Sequence, residues 1–407
     1  MTESSQAKNL RIVYVWDADY PWDVRTEKIC LALTEAGHDV HLVARNSNRA
    51  PSTEKLREAT VHRMPPWRWV GAKLDTALGF PAFFNPRWRS LIANTAKEVK
   101  ADVIIVRDLP LCPTAISVGR RLHIPVILDM AENYPAMIRA IWQTRRHGPL
   151  DFLVRNPRMV ERTEEYCLRH VDHVLTVADE MSDRLVAMGV DHTRITCVAN
   201  TPTLTDRIDV ARVYERDGDS IQLVYLGLME VVRGINDLID VVALLRGRRP
   251  RVKLLLIGGG RDEQLFRARA ARSGLTDDDV IFAGHLPYHQ ALELMSTADI
   301  GMLPLYRNEH MDTTLPNKLF DYMSAGLPVI TSDTVPSARV VKAERAGVVF
   351  EARNVESLAD AVISLADAGL RGEMGYYGRA AVERRYNWER DAETLAITVA
   401  NVRSDWQ

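Results

Sequence analysis

With 407 residues, 46% hydrophobic and 26% charged, the chain has an ordinary soluble globular composition and the length for two domains, each with its own core. Its 52 basic and 54 acidic side chains leave a formal net charge of −2, which gives no global reason to expect nucleic acid as a partner. Cys30, Cys112, Cys167 and Cys197 are scattered, with no Cys-x-x-Cys pair, so they argue against a disulfide framework or a zinc site and fit buried thiols in a reducing cytoplasm. The first ten residues are polar and hold no apolar core of signal-peptide length, and no run of about 18 apolar residues occurs. Any membrane contact is therefore expected to be peripheral.

Arg11 to Trp16 reads as a strand by its β-branched and aromatic content. A polar loop, Asp17 to Asp23, leads into a helix at about Val24 to Ala36. Gly37 closes it, and Asp39 to Ala44 returns as a strand. That order is the βαβ opening of a parallel sheet. Arg25, in the first turn of the helix, either meets a phosphate or acceptor or ties the loop down as a structural charge. Further strands are expected at Asp102 to Arg107, Pro125 to Met130, His173 to Val177 and Arg194 to Val198. The alternation predicts a doubly wound α/β domain whose ligands sit beyond the carboxyl ends of the strands. Asp108 and Glu132 fall at two such ends. Each can orient an acceptor hydroxyl or take its proton, and each can equally be a loop acid capping the next helix. His170 and His173 have no third ligand nearby in sequence, which argues against a metal site.

Pro65 to Asn94 holds Trp67, Trp69, Phe80, Phe83, Phe84 and Trp88, with Arg68, Lys73, Arg87 and Arg89 interleaved. Aromatics beside cations suit the headgroup region of an anionic bilayer. The alternative is an insertion that packs its aromatics into the domain's own core. A second basic run, Arg139 to Arg158, contains Arg145-Arg146-His147 and either widens the same face or is a solvated helix end. Asn200 to Ser220, polar and rich in Asp, reads as an interdomain linker.

Ser220 to Leu226 restarts a sheet, Gly227 follows at once, and Arg233-Gly234 opens a helix at about Ile235 to Arg246. Val252 to Ile257 is the next strand. Gly258-Gly259-Gly260, before a helix from about Asp262, lets backbone approach a ligand but lacks the third glycine of a dinucleotide fingerprint. Val280 to Leu286 is a strand and turn, and Ala298 to Pro304 leads into a loop. Thr313 to Ile330 then reads as loop, short helix, stop and strand. Pro316 suits the first helical position. Leu319, Tyr322 and Met323 give one apolar face, Gly326 is a left-handed stop, and Pro328 prevents resumption. The N-terminus of such a helix attracts an anion, typically a phosphate. Asp321, more than one turn in, is placed to accept hydrogen bonds from a sugar. A strand at Gly347 to Phe350 and further helices complete the chain.

The order Pro316-Asn317-Lys318-Leu319-Phe320-Asp321-Tyr322-Met323, continued by Ala325-Gly326-Leu327-Pro328-Val329-Ile330, closely resembles the donor-site segment of family-4 glycosyltransferases, retaining enzymes of the GT-B fold. Glu35 to Val40, Asp23-Val24-Arg25, Gly227 with Arg233-Gly234, and Arg384 to Glu389 resemble other segments of that family. The resemblance implies an α/β fold of the GT-B type, with two Rossmann-like doubly wound domains facing across a cleft and a C-terminal helix crossing back. Residues 1–203 would bind the acceptor, residues 204–385 the nucleotide-sugar donor, and residues 386–407 would form the returning helix. The implied donor site is Gly227, Arg233, Gly234, Gly258, His285, Thr314, Leu315, Asn317, Lys318 and Asp321, with Asp321 on the ribose and Arg233 on the diphosphate. The implied catalytic residues are Glu132 and Asp108, with Asp23 and Arg25 in an acceptor loop. The sequence departs from the family pattern at Thr313 (Glu), at Ala131 (His), and at Leu228 and Met229, where an Arg is usual.

The same resemblance implies sugar transfer, with retention, from a UDP- or GDP-linked donor to a hydroxyl of a glycan or lipid-linked acceptor. The setting would be bacterial surface polysaccharide or glycolipid assembly, of the capsule or exopolysaccharide branch. No metal and no cofactor are expected. The location would be cytoplasmic, at the inner face of the membrane if residues 65–94 make contact with it. Two alternatives stand beside this: a nucleotide-sugar epimerase on the same fold, and a non-catalytic subunit that binds nucleotide-sugar or a partner enzyme.

Overall fold

The computed structural model describes residues 9–21, 23–67, 75, 83–144, 156–205 and 220–406. They form two compact units, Met1–Ala199 with Asp391–Gln407, and Asn200–Arg390. The division thus falls a few residues from 203/204 and 385/386. Ala199 N–H donates to Asp391 Oδ1 at 3.3 Å and Trp406 Nε1 to Asp172 Oδ1 at 3.0 Å, which holds the end of the final helix, Trp388–Asp405, to the first unit. Most of the expected linker, residues 206–219, lies outside the described residues.

The first unit is built on a sheet in the order β3-β4-β2-β1-β5-β6-β7-β8. The strands are β1 (Arg11–Asp19), β2 (Asp39–Arg45), β3 (Thr53–Lys55), β4 (Thr60–Arg63), β5 (Val103–Arg107), β6 (Val126–Asp129), β7 (His173–Thr176) and β8 (Ile195–Cys197). All neighbours are parallel except β3 and β4. The central strands are buried on both faces and therefore read as unbroken apolar runs, as in Val103 to Val106. β1 continues past the expected end at Trp16 to Asp19, with a shift of register between Val15 and Asp19. The β3–β4 pair was not expected. Thr53-Glu54-Lys55 is short, polar and mostly exposed, a protected edge rather than a hydrophobic signal.

The aromatic segment divides between core packing and exposure. Trp88 and Phe83 are buried in the core of the first unit, whereas Trp67 and Phe84 are exposed. Arg87 lies over the Trp67 ring at 4.5 Å and pairs with Asp75 at 2.8 Å. Arg68, Trp69, Lys73, Phe80 and the run Arg145-Arg146-His147 lie outside the described residues. Among the described residues, no helix is long and apolar enough to cross a membrane.

The second unit has an all-parallel sheet in the order β11-β10-β9-β12-β13-β14. Its strands are β9 (Ser220–Leu226), β10 (Arg251–Ile257), β11 (Val280–Gly284), β12 (Ile300–Leu303), β13 (Val329–Ser332) and β14 (Gly347–Phe350). The order reverses beside β9, so β9 and β12 flank a switch point where their connections part to opposite faces. The short helix Asn317–Ser324 is anchored there by Tyr322, whose hydroxyl accepts the Leu226 N–H at 2.8 Å and donates to the Met302 carbonyl at 3.3 Å. Gly301, on β12, has no room for a side chain because a Cβ would enter the Tyr322 ring. Gly301→Ala is therefore expected to lower unfolding stability by about 1–3 kcal/mol, the ordinary cost of overpacking, read from the urea midpoint.

Candidate functional site

In the second unit, three loops run side by side beyond the carboxyl ends of β9, β10 and β11. Gly227 N–H donates to the Ile257 carbonyl at 2.9 Å, Met229 N–H to Gly259 at 3.0 Å and Gly258 N–H to Gly284 at 2.8 Å. At Gly258 the backbones approach so closely that a Cβ would meet the Gly227 carbonyl, and its φ of 133° is one that side-chain-bearing residues avoid. The glycines therefore make a floor of bare peptide rather than a flexible hinge.

Two cations stand over this floor. Arg233 ends a 3-10 turn, Val231–Arg233, is half-buried, and keeps its Nε buried with no hydrogen-bond partner. Gly234 then turns left-handed, at φ 75°, into the helix Ile235–Leu244, packed so closely on Pro304 that a Cβ would strike its carbonyl. Lys318, the second residue of Asn317–Ser324, brings its Cε to 3.3 Å from where a Gly227 Cβ would stand. Burial lowers the Lys318 pKa. Asp321 opposes that shift, and the charge of Arg233 adds to it. Among the described residues the Lys318 ammonium makes no hydrogen bond or ion pair. Thr314 Oγ1, nearby in sequence, is likewise buried without a partner.

Pro316 is the residue before the helix rather than its first residue. Its ψ of 132° is extended, and its carbonyl accepts the Leu319 N–H at 3.1 Å. Gly326 ends the helix left-handed, at φ 69°, as its position implied. Leu315 is buried, Asn317 half-buried and His285 exposed. Asp321 is buried and accepts a hydrogen bond from the Tyr288 hydroxyl at 3.2 Å. Thr313, at the position of the family's first acid, turns inward, its Oγ1 bonded to the carbonyls of Glu309 and His310, both at 3.1 Å.

In the first unit several of the polar residues pair with one another, although Arg107 Nε is buried without a hydrogen-bond partner. Asp23 caps the helix Val24–Glu35 through the Thr26 N–H at 2.8 Å and pairs with Arg107. Of the two readings of Arg25, the structural one is displayed. Arg25 is buried against Asp129, Nη2 to Oδ1 at 2.5 Å, and donates to the Val198 carbonyl at 3.0 Å, so its charge is already balanced. Tyr14 donates to the other Asp129 oxygen at 2.7 Å. Asp108 has a left-handed backbone, φ 58°, and its Oδ1 accepts the Ala131 N–H at 3.0 Å. Glu132 is half-buried and close enough to repel the Asp108 charge. Among the described residues no cluster of three or more His, Cys, Asp or Glu is placed to hold a metal ion.

Residues 220–368 match the family described as Glycosyl transferases group 1, and residues 23–201 match the Glycosyl transferase 4-like domain. This chain belongs to the group 1, family-4-like glycosyltransferases. A glycogen synthase of Mycobacterium tuberculosis is 26% identical over 392 residues, covering 91% of this chain and 87% of that protein. A GDP-mannose-dependent phosphatidylinositol monomannoside mannosyltransferase of the same species is 29% identical over 216 residues, covering 51% and 53%. In fold, the chain is similar to sucrose-phosphate synthase from Thermosynechococcus elongatus (TM-score 0.75, 18% identity, 98% of this chain and 100% of that one). It is also similar to Anabaena HepE in complex with UDP (TM-score 0.70, 14% identity, 96% and 100%). The fold is therefore GT-B.

Within this glycosyltransferase the expected residues separate into two groups. Gly227, Arg233, Gly234, Gly258, Lys318 and Asp321 cluster around the second unit's switch point. Asp108, Glu132, Asp23 and Arg25 gather at the carboxyl edge of the first unit's sheet. Three residues there and in the second unit were not anticipated. Tyr288 reaches Asp321 from a helix of its own. Arg107 joins Asp23 and Thr26 and lies over the Trp16 ring at 4.2 Å. Asp17 is pushed up to about 6, chiefly by burial. Aspartate at a strand end was the available signal for Asp17; nothing in the sequence pairs Tyr288 with Asp321.

Burial, with repulsion from Glu132, Asp129 and Asp17 and despite attraction to Arg107, pushes Asp108 up to about 8. Its unfolded counterpart titrates near 4. Between those values the native state holds the extra proton, so this contribution to stability is complete below about pH 4 and is lost as pH rises through 8. Asp17, at about 6, is half titrated at that pH and mostly ionised by about pH 7. Asp108→Asn, which tolerates the left-handed backbone, should therefore flatten the fall in stability between pH 6.5 and 8, measured by urea unfolding across that range.

Proposed function

We propose that this glycosyltransferase moves a sugar from a UDP- or GDP-linked donor to an acceptor hydroxyl, with retention at the anomeric carbon, and that the donor's diphosphate lies on Gly227 and Gly258 between Arg233 and Lys318. The observation that carries the reading is a pair of cations offset by one nearby carboxylate, Asp321. Arg233 and Lys318 repel each other, and donors on both remain unspent. A bridging diphosphate supplies charge-assisted hydrogen bonds to both. The first N–H groups of the helix Asn317–Ser324 add a partial positive charge on the same side. These groups stabilise the charge that develops on the leaving diphosphate without a metal or cofactor.

Asp321 is the ribose-binding acid in this scheme, its position near Lys318 fixing the nucleoside relative to the diphosphate. Asp108 and Glu132 orient the acceptor. Asp108, protonated at neutral pH, donates a hydrogen bond, and the Glu132 carboxylate receives the acceptor hydroxyl. The UDP of the HepE complex and the GDP-mannose of the mannosyltransferase relatives support these two nucleotide classes. The phosphatidylinositol mannoside of those relatives supports a glycan or glycolipid acceptor, and with it surface polysaccharide or glycolipid assembly.

The test is release of nucleotide and transfer of label from UDP-hexose and GDP-hexose by the purified chain, with and without a glycan or glycolipid acceptor. Asp321→Ala is expected to lower donor turnover about 10- to 100-fold, the value of a hydrogen bond to a charged group. Unchanged turnover in that variant would remove Asp321 from the donor site. A donor epimerised without acceptor would favour the epimerase alternative.

A further inference from the structure

The helix Tyr288–Ser296 begins soon after β11 ends at Gly284, on the same carboxyl edge of the sheet as the short helix Asn317–Ser324. Its side chains Ala291, Leu292 and Met295 are buried. Tyr288 precedes them at helical spacing, which puts it on the same face, one turn beyond the core. Helix phase therefore turns Tyr288 inward, and its place at the helix end leaves it 56% exposed. Its hydroxyl donates to Asp321 Oδ1 at 3.2 Å, across 33 residues of sequence.

Asp321 is buried, so little water is at hand to orient its carboxylate. Lys318, one turn earlier on the same helix, attracts it. That attraction draws the charge without setting the carboxylate plane, because the last torsion of an aspartate is broad and two-fold. A hydrogen bond to one oxygen does set it. Tyr288 supplies such a bond from a separate element, so the tertiary fold holds the plane, not only the helix that carries Asp321.

We propose, on the reading of Asp321 as the ribose acid, that Tyr288 is a positioning residue: its hydroxyl holds the Asp321 carboxylate in the plane that receives the cis-diol of a ribose, and so makes the site select ribonucleotides over deoxyribonucleotides. An ionised carboxylate has about four lone-pair sites, so the bond from Tyr288 and two bonds from a diol coexist. A diol gains both bonds only where the carboxylate already faces it. A freely turning carboxylate has to be ordered on binding, which costs the two-bond ligand more than the one-bond ligand.

The test is calorimetry of the full chain with UDP or GDP, whichever binds, with the 2′-deoxy form of that nucleotide, and with inorganic pyrophosphate. The wild-type chain is expected to prefer the ribonucleotide by about tenfold or more. Tyr288→Phe keeps the ring and removes the hydroxyl. It should lower that preference about three- to tenfold, the value of one hydrogen bond, with pyrophosphate affinity unchanged. In an Asp321→Ala background, Tyr288→Phe should change the preference no further. Thermal unfolding confirms that each variant folds, and Tyr288→Leu gives the same reading where the phenylalanine variant does not. With nucleotide binding present and lost in Arg233→Ala/Lys318→Ala, three results would overturn the role of Tyr288 and leave the donor site standing. These are no preference in the wild-type chain, an unchanged preference in Tyr288→Phe, and an equal loss for all three ligands. Nucleotide binding that survives in Arg233→Ala/Lys318→Ala, or none by the folded wild-type chain, would overturn the donor-site reading and this role with it.

Discussion

Two cations held together over bare peptide, with one carboxylate near them, set the terms for the second unit. Bringing like charges together out of water raises the free energy of both, and Lys318 responds with a lowered pKa. The surroundings make this geometry hard to relax. Gly227 and Gly258 press backbone against backbone, Gly234 presses on Pro304, and Tyr322 fixes the short helix to β9 and β12. An anion entering from solvent meets donors already in place, so little ordering remains to be done on binding.

The first unit solves the same problem internally. Arg25 and Asp129 are both buried and bonded to each other, with Tyr14 and the Val198 carbonyl taking the remaining valences. Arg107 is divided between Asp23, Thr26 and the face of Trp16. Asp17 and Asp108 stand at that same edge, both pushed upward by burial. A surface that presents carboxyls suits a polyol, while one that presents unspent cations suits a phosphate. The two units thus differ in chemistry although both are doubly wound sheets.

The parallel strands were legible because burial on both faces writes them as plain apolar runs. The stretch Pro316 to Ile330 was legible because its stop signals and its polar residues lie within one short segment. Only the place of Pro316 shifted, by one residue, from the helix to its cap. Long-range partners left no such trace. Asp129 lies 104 residues from Arg25, and no local pattern says that the two meet. Tyr288 looks like an ordinary helix start until the fold brings it to Asp321. The β3–β4 edge was missed because an edge strand is made of polar residues that read as loop.

Calorimetric titration of the purified chain with UDP and with GDP, repeated on Arg233→Ala and on Lys318→Ala, tests most directly whether the cation pair is the donor site. If it is, one nucleotide binds, and binding is lost in each variant while the fold is retained. Equal binding by the variants, or binding of neither nucleotide by the folded wild-type chain, would contradict it.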